Sequence, residues 1–291
     1  MISNDISKPE SAGFVQHAWR SLTHNLLSLA AAIYLVSLLV LSVSAGWITP
    51  YNPVETNLQA AYLSPSAEHW FGTDQVGRDV FSRVINAAKL DFAVAGMSVL
   101  LSFLLGTFLG SAGVFYGGLF DRVVGRITDV MMTFPLFVVA LAIVAALGNS
   151  VQSIVIASAV VNLPFFVRLS RAEVGRLRVL SFVEAARAGG NSEFNILLKF
   201  MIPNALPTIV VQVSTSLGWA ILDVAGLSFL GLGIRPPTPE WGIMVAEAAA
   251  SILAGNWWLI VFPGGALAFT VLSFNLLGDS LRDILDVRFR R

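Results

Sequence analysis

Glu184 and Arg187 are the charged residues of a short segment, Glu184-Ala185-Ala186-Arg187-Ala188-Gly189-Gly190, that lies between long apolar stretches. A carboxylate and a guanidinium about one helical turn apart can form hydrogen bonds and ion pairs, and the alanines between them permit close contact with another surface. We predict that Glu184 fixes the local structure through such hydrogen bonds or through a nearby arginine; a solvated charge is the alternative. This chemistry is typical of docking rather than of catalysis.

The residues around this segment predict two short helices joined by a glycine turn. Gly189-Gly190 supplies a left-handed backbone conformation that ends the first helix. Asn191 or Ser192 can cap the second helix, Glu193 suits its positive end, and Pro203 is predicted to end it. Apolar residues recur at helical spacing in both: Val179, Val183 and Ala186, then Phe194, Leu197, Leu198 and Met201. The shared apolar face can pack against a partner's groove or against the chain's own helix ends; an ordinary interfacial hairpin is the alternative.

Asp223 is the other residue whose chemistry is unusual for its surroundings. Its neighbours in a predicted membrane span are all apolar: Trp219, Ala220, Ile221, Leu222, Val224 and Ala225. An acid at that depth costs about 2.5–3.5 kcal/mol on insertion scales, so it normally faces a cavity or a protein partner rather than lipid. Two interpretations stay open: Asp223 lines a translocation path and meets a cationic group of a substrate, or it forms a structural hydrogen bond to a neighbouring helix or a partner chain.

Residue types that carry out covalent or metal-assisted chemistry are absent or scattered in the sequence. The chain has no cysteine, which excludes disulfides, thiolate metal sites and cysteine nucleophiles. It has no glycine-rich loop that ends in Gly-Lys-Ser/Thr and no Gly-x-Ser-x-Gly nucleophile turn. The lysines and histidines form no nucleotide or zinc motif: Lys8, Lys89, Lys199, His17, His24 and His69. We therefore expect no enzyme activity, no metal and no cofactor bound by this chain.

The composition is that of a multispanning membrane protein, with 56% hydrophobic residues, 12% charged residues and a mean hydropathy of +0.76. A bilayer needs about twenty apolar residues per helix. Apolar runs of this kind predict six transmembrane helices, near 26–48, 92–116, 130–147, 151–168, 207–232 and 258–278. The first run is too long for a secretory signal core, so we expect no cleavage near Val43-Ser44-Ala45.

We predict an all-α transmembrane domain over residues 26–291, preceded by a cytoplasmic lead-in over residues 1–25. The lead-in is amphipathic, and its apolar residues can lie along the inner membrane surface: Phe14, Ala18, Trp19 and Leu22. Glycines that recur every three or four residues predict close helix packing on the second span: Gly106, Gly110, Gly113 and Gly117. Prolines inside apolar runs predict kinks, which either accommodate neighbours or shape a pathway: Pro135, Pro164 and Pro263.

Lysine and arginine accumulate on the cytoplasmic side of inner membranes and therefore predict orientation. With both termini inside, most basic residues are cytoplasmic: Lys8, Arg20, Arg122, Arg126, Arg168, Arg171, Arg176, Arg178, Arg187, Lys199, Arg282, Arg288, Arg290 and Arg291. The others fall outside: Arg78, Arg83, Lys89 and Arg235. This places the hairpin, about 170–206, in the cytoplasm and two segments, about 49–90 and 233–257, in the periplasm. The net charge of zero gives no indication of nucleic-acid binding.

Three further blocks lie at or beyond the ends of the predicted spans. Between the first two spans is His69-Trp70-Phe71-Gly72-Thr73-Asp74-Gln75-Val76-Gly77-Arg78-Asp79, in which Arg78 has acidic neighbours. Before the last span is Leu227-Ser228-Phe229-Leu230-Gly231-Leu232-Gly233-Ile234-Arg235-Pro236-Pro237-Thr238-Pro239-Glu240-Trp241-Gly242, a loop stiffened by prolines. Near the end is Asn275-Leu276-Leu277-Gly278-Asp279-Ser280-Leu281-Arg282-Asp283. Tryptophans around the second block suit the outer membrane interface: Trp241, Trp257 and Trp258.

Together with the hairpin, these blocks resemble, in order and spacing, the C-type permease subunit of the oligopeptide, dipeptide and nickel importer family, from about residue 14 to the end. In the loop of such ABC importer permeases, a glycine follows a Glu-Ala-Ala triplet by four residues and a proline closes the next helix. Gly190 takes the glycine place and Pro203 the proline place. Phe200 and Ile202 depart from the usual isoleucine and leucine but keep the apolar character.

The resemblance implies a type I ABC importer permease fold in a bacterial inner membrane. It implies a homologous B-type permease as partner, two cytoplasmic ATPases that bind ATP and Mg, and an extracytoplasmic substrate-binding protein. The implied mechanism is alternating access across the permease heterodimer. The residues that would couple this chain to the ATPases are Glu184, Ala185, Ala186, Arg187 and Gly190.

Two other classes of function remain alternatives. A secondary transporter or channel would need no ATPase, but we would expect intramembrane ionisable relays or inverted repeats, of which this chain offers little beyond Asp223. A non-transporting scaffold would account for the hairpin but not for the kinked, glycine-lined spans. The substrate is open between dipeptides, longer or modified peptides, glutathione-like molecules and nickel complexes. Peptides are expected because they dominate the family.

Overall fold

The computed structural model describes residues 25–289, and the side chains of residues 25–283. The described part is helical apart from its loops and an isolated bridge between Thr73 and Asp79, so the predicted all-α fold is confirmed there. The predicted amphipathic face of the lead-in, with Phe14, Ala18, Trp19 and Leu22, lies outside the described residues. The α-helices, numbered in chain order, are α1 Leu26–Val43, α2 Ala45–Ile48, α3 Val80–Tyr116, α4 Gly118–Met131, α5 Leu136–Leu147, α6 Val151–Leu177, α7 Ser181–Ala188, α8 Glu193–Ile196, α9 Ile202–Phe229, α10 Trp241–Ala248 and α11 Trp258–Phe289.

Five of these helices are long and apolar enough to cross a membrane: α1, α3, α6, α9 and α11. α4 and α5 pass the same test only as a pair, and they are bent by 93° where they meet. Pro135 lies at this bend as the N-cap of α5, as expected for a residue that cannot extend a preceding helix. With the pair counted as one span, the number of spans agrees with the six predicted, but the third span is broken.

The helix that contains the second predicted span begins at Val80, before the apolar run that starts near residue 92. Asp79 caps it, because its carboxylate accepts a hydrogen bond from the Ser82 amide at 2.7 Å. Polar residues such as Ser82 and Arg83 are buried in the first turns. The helix therefore extends beyond the apolar run into polar, buried turns. The helix of the fourth predicted span also extends beyond its apolar run, since α6 continues through arginine-containing turns to Leu177.

α3 and α6 approach closely along the glycine stripe that the sequence predicts. A Cβ atom at Gly106 would lie 2.6 Å from Phe166 Cβ, and one at Gly110 would lie 2.4 Å from the Val167 carbonyl oxygen. These contacts confirm the predicted packing role for both glycines. Gly117 has a different role, because it ends α3 with a φ of +70° and no atom would lie within 4 Å of a Cβ there.

The bundle has two ends that carry different structures. The loop end holds residues 49–79, the start of α3 and the short helix α10. The hairpin end holds the last turns of α3 and α6 together with α7 and α8, and Arg178 Nη1 there donates a hydrogen bond to the Val114 carbonyl at 2.7 Å. The main apolar core runs between these ends through α3, α6, α9 and α11, and it includes Val183 and Ile196 of the hairpin.

Candidate functional site

The Glu184 hairpin, residues 181–201, has the glycine turn that the sequence predicts. α7 ends at Ala188, and Gly190 has a left-handed backbone with a φ of +79°. Asn191 closes the turn, because its backbone N–H and its side-chain Nδ2 both donate to the Ala186 carbonyl, at 3.3 and 2.9 Å. No atom would lie within 4 Å of a Cβ at Gly190, so its requirement for glycine is conformational rather than steric.

The second half of the hairpin differs from the prediction. Ser192 does cap α8, and its hydroxyl accepts a hydrogen bond from the Asn195 amide at 3.3 Å. The helix does not end at Pro203, however, because α8 passes through a π-helical turn at Leu197–Met201 directly into α9. The wider turn relieves the clash that a proline ring makes with the carbonyl one turn earlier. Helical structure is therefore continuous from Glu193 to Phe229.

The predicted apolar stripe of this second helix is confirmed for two of its four residues. Leu197 and Met201 are buried, whereas Phe194 is 53% exposed and Leu198 is 39% exposed. α8 is continuous with α9 and shares the face that α9 buries, so Ile196 takes a place in the core that the simple periodicity gave to Phe194. Phe194 and Leu198, one helical turn apart, form an exposed apolar surface that we call the hairpin patch.

The charges around the hairpin patch are also exposed. Arg187 pairs with Glu193 across the turn, with Nε to Oε1 at 2.7 Å and Nη2 to Oε2 at 3.1 Å. Glu184 also attracts Arg187 electrostatically, in addition to this pair. Glu184 is exposed and forms no hydrogen bond or ion pair with the described residues. Ala185 is exposed beside it, and Ala186 is buried.

Asp223 lies on α9, half-buried, with its carboxyl group hydrogen-bonded to the Asn162 side chain of α6. Asn162 is buried and also donates from Nδ2 to the Ser158 carbonyl at 2.9 Å, so its amide orientation is fixed. Among the described residues, no basic side chain forms an ion pair with Asp223. The sequence did not identify Asn162, because a single asparagine in an apolar run does not indicate which helix it meets.

A buried cluster at the loop end, which we call the ion-pair cluster, consists of Asp74, Arg78, Arg83 and Glu247. Arg78 Nε lies 2.5 Å from Asp74 Oδ2, and Arg78 Nη2 lies 2.9 Å from Glu247 Oε2. Arg83 Nη2 reaches the same Glu247 oxygen at 3.3 Å. The sequence indicated acidic neighbours for Arg78, but Arg83 and Glu247 were not expected to join them, because their contact is long-range.

A second polar contact at the loop end joins α3 to the start of α10. Glu240 caps α10 by accepting hydrogen bonds from the amides of Gly242 and Ile243, at 2.7 and 2.8 Å. The Trp241 amide donates to Asp91 Oδ2 at 3.3 Å, while Asp91 Oδ1 is buried with no partner among the described residues. Burial raises the pKa of Glu240 to about 7, although these amide hydrogen bonds lower it.

The predicted interfacial position of Trp241 is wrong. Trp241 was expected at the membrane interface with Trp257 and Trp258, but it is fully buried, and its indole Nε1 donates to the Val84 carbonyl at 3.1 Å. Trp258 is buried as well and donates to the Thr73 carbonyl at 3.2 Å. Their indole N–H groups have protein partners, so these rings do not need the polar interface.

The chain matches two family models. Residues 102–291 match the binding-protein-dependent transport system inner membrane component, and residues 13–65 match the N-terminal transmembrane domain of oligopeptide transport permease C. A solved structure of the MetNI methionine ABC transporter in inward-facing conformations has the same fold. The comparison of the two chains gives a TM-score of 0.57 and a sequence identity of 18%. It covers 69% of this chain and 96% of the MetNI chain.

Two relatives are similar over nearly the full chain. The dipeptide transport system permease protein DppC of Alkalihalophilus pseudofirmus is 40% identical over 275 residues, which is 94% of this chain and 90% of the relative. The glutathione transport system permease protein GsiD of Escherichia coli O6:K15:H31 is 40% identical over 286 residues, which is 97% of this chain and 94% of the relative. The chain therefore belongs to the binding-protein-dependent transport family and is a multi-pass inner-membrane permease of the peptide-transporting ABC importers.

Proposed function

We propose that this chain forms the translocation path for peptides together with a homologous B-type permease, and that two cytoplasmic ATPases drive it through the Glu184 hairpin. An extracytoplasmic binding protein would deliver the substrate. The observation that carries the proposal is the hairpin patch, Phe194 and Leu198, which is apolar and exposed in the turn region beside the exposed Arg187 and Glu193 side chains. An apolar surface with a charged rim is typical of a protein-docking site.

The position of the patch suits transmission of force. Val183 and Ile196 beside it are fully buried in the main core. The helix that carries the patch continues without interruption from Glu193 to Phe229. A shift imposed at a rigid, packed helix is passed along it rather than dissipated locally. Movement of a docked ATPase would therefore move α9, which is also the helix that carries Asp223.

In this proposal the hairpin residues have distinct tasks. Gly190 sets the turn, and the exposed Arg187–Glu193 ion pair spans it. Glu184 and Ala185 are exposed on the same side and are free to contact the partner. ATP and Mg would bind on the ATPase chains, and this chain would bind neither. Peptides are the proposed substrates, in keeping with the names of the DppC and GsiD relatives.

The test is purification of the assembled transporter in mild detergent, with the bound chains identified by mass spectrometry. We expect a second permease and two ATPase chains to copurify with the wild-type chain. Phe194→Asp should release the ATPases and keep the second permease, because a charge at the centre of an apolar contact is left without a partner. Leu253→Asp is the matched control, since Leu253 is fully exposed at the opposite end of the bundle.

Two results would contradict the proposal. If the Phe194→Asp variant retains its ATPases and its uptake rate, the hairpin patch is not the docking surface. If the wild-type chain copurifies with no ATPase and takes up substrate in proteoliposomes without ATP, the chain works as a secondary transporter or channel.

A further inference from the structure

One face of α9 carries polar side chains within a membrane span. Its members lie about one helical turn apart: Gln212, Ser216, Trp219 and Asp223. Gln212 Nε2 lies 3.3 Å from Ser216 Oγ, so the two bond along the helix. Over about three turns, or roughly 16 Å, this polar face is not suited to lipid. Ser216 is buried within the chain, Gln212 and Asp223 are partly exposed, and Trp219 is exposed.

No cation pairs with Asp223 within the described part of the chain. Its partner is the neutral Asn162 side chain, whose Nδ2 already donates to the Ser158 carbonyl. A carboxylate in a span is normally matched by an opposite charge or by a polar cavity. A cationic group of a substrate can therefore supply this opposite charge.

Trp219 adds an aromatic face one turn before Asp223. It is 59% exposed, which is unusual for a tryptophan in a well-packed bundle and leaves its ring available. One turn after Asp223, Gly226 has no side chain, and a Cβ there would lie 2.9 Å from Phe137 of α5. Trp219 and Asp223 are thus one turn apart on the same side of α9, and Phe137 packs against the helix one turn further on. A carboxylate beside an aromatic ring binds an organic ammonium group through charge and cation–π attraction.

We propose that Trp219 and Asp223 bind the protonated amino group of a peptide-like substrate as it passes along α9. This inference rests on the proposed transport of peptides and deepens it. An ammonium group fits better than a metal ion, because no group of three or more His, Cys, Asp or Glu able to hold a metal occurs in the described part of the chain. The site would select substrates with a free amine and would act after the binding protein releases them.

The first experiment measures the local preference for an ammonium group without ATP-driven uptake. Trp219→Cys introduces a single thiol into the naturally cysteine-free chain, within the assembled transporter in membranes. Its reaction rates with an ethylammonium methanethiosulfonate and with a neutral methanethiosulfonate are compared, with and without ATP. We expect the ammonium reagent to react about tenfold faster relative to the neutral one when Asp223 is present. Adding Asp223→Asn should abolish the preference, and Asp223→Glu should retain it.

Asp279→Asn is the matched control for the charge change, because Asp279 is an exposed carboxylate on α11. It should leave the preference of the Trp219→Cys thiol unchanged. The proposal is overturned if the thiol reacts with neither reagent in either state, because the face is then buried against a partner chain. It is also overturned if the ammonium preference survives Asp223→Asn.

The second experiment measures uptake by the complete transporter in proteoliposomes. Asp223→Asn should lower uptake of a tripeptide with a free amino terminus about tenfold, with Asp223→Glu restoring most of it. Normal uptake by Asp223→Asn would overturn the amine site and leave the proposed importer function intact. Failure of the importer proposal is recognised separately. If no ATPase copurifies with the wild-type chain, the importer proposal is refuted, while the thiol reaction rates are unaffected.

Discussion

The two ends of this bundle use ion pairs in opposite ways. In the ion-pair cluster at the loop end, the Arg83 side chain is 1% exposed and that of Arg78 is 4% exposed. At the hairpin end, the side chains of Arg187 and Glu193 are 52% and 48% exposed. Removing one member of a buried cluster leaves an uncompensated charge, whereas an exposed pair is screened by water and salt. The loop end is therefore held in one arrangement, and the hairpin end keeps its charges available for a partner.

Two glycines show the same contrast. Gly77 and Gly190 have nearly equal backbone angles, with φ of +76° and +79°. A Cβ at Gly77 would lie 1.8 Å from the Asn57 carbonyl oxygen, whereas a Cβ at Gly190 would meet no atom within 4 Å. The backbone of Gly77 is thus surrounded by other atoms, whereas the space beside the Gly190 backbone is open. An open turn is what a docking element needs, because a partner must approach its backbone.

The prediction with the largest effect concerns which end faces which side of the membrane. The chain lacks cysteine, so Ser192→Cys in the hairpin and Thr238→Cys in the loop before α10 each introduce one thiol at an exposed position. In intact spheroplasts, an impermeant thiol reagent should label position 238 and leave position 192 unlabelled until the cells are opened. Labelling of position 192 alone would reverse the orientation and place the hairpin out of reach of a cytoplasmic ATPase.

The next largest effect is expected at Arg83. Arg83→Met keeps much of the side-chain volume but removes the hydrogen bonds to the Pro53 and Pro237 carbonyls, at 3.1 and 3.2 Å, and the contact with Glu247. Breaking a buried charge cluster typically costs about 3–5 kcal/mol. We expect a clear drop in the thermal midpoint of the purified transporter, monitored by fluorescence-detected size exclusion.

Arg187→Met is the matched control at the hairpin end. It removes an exposed pair and should leave the thermal midpoint nearly unchanged, because such pairs contribute little to stability. Equal destabilisation by Arg83→Met and Arg187→Met would show that the buried and the exposed ion pairs do not differ in their contribution to stability. The proposed contrast between the two ends of the bundle would then be wrong.

Local patterns in the sequence identified the spans, the glycine turn and the close packing at Gly106 and Gly110, because each depends on neighbours within a few residues. The ion-pair cluster was missed because Arg83 and Glu247 come from distant parts of the chain, and their meeting depends on the whole fold. Pro203 was misinterpreted for a different reason. A proline usually ends a helix, and only the π-helical turn before it lets the helix continue.

A smaller effect is expected for pH at the loop end. Burial raises the pKa of Glu240 from 4.5 to about 7, with the buried carboxyl of Asp91 nearby. The folded state therefore holds this proton more tightly than the unfolded state. Stability should be fully present below about pH 4.5 and should fall, on the order of 3 kcal/mol in total, as the pH rises through about 7.

Glu240→Gln isolates this effect, because the amide keeps an acceptor for the cap of α10 and cannot ionise. Between pH 5 and pH 8, the thermal midpoint should fall less in Glu240→Gln than in the wild type. Glu55→Gln, which changes an exposed carboxylate in the loop, should follow the wild type. An unchanged slope in Glu240→Gln would show that Glu240 is already ionised in the folded protein.

The smallest effect on stability, but not on function, is expected at Gly190. Gly190→Val forces a branched side chain into a left-handed conformation at a cost of about 1–2 kcal/mol, with no clash to add because the surrounding space is open. The chain should still insert and assemble, since the core contacts of Val183 and Ile196 are untouched. Gly189→Ala is the matched control in the same turn, because Gly189 has an ordinary φ of −73°. The angle between α7 and α8 is expected to set how the ATPase docks. A transporter that carries Gly190→Val should therefore hydrolyse ATP without matching uptake in proteoliposomes. A transporter that carries Gly189→Ala should behave as the wild type. Wild-type uptake per ATP in Gly190→Val would mean that the turn tolerates distortion, and that coupling depends on the hairpin patch alone.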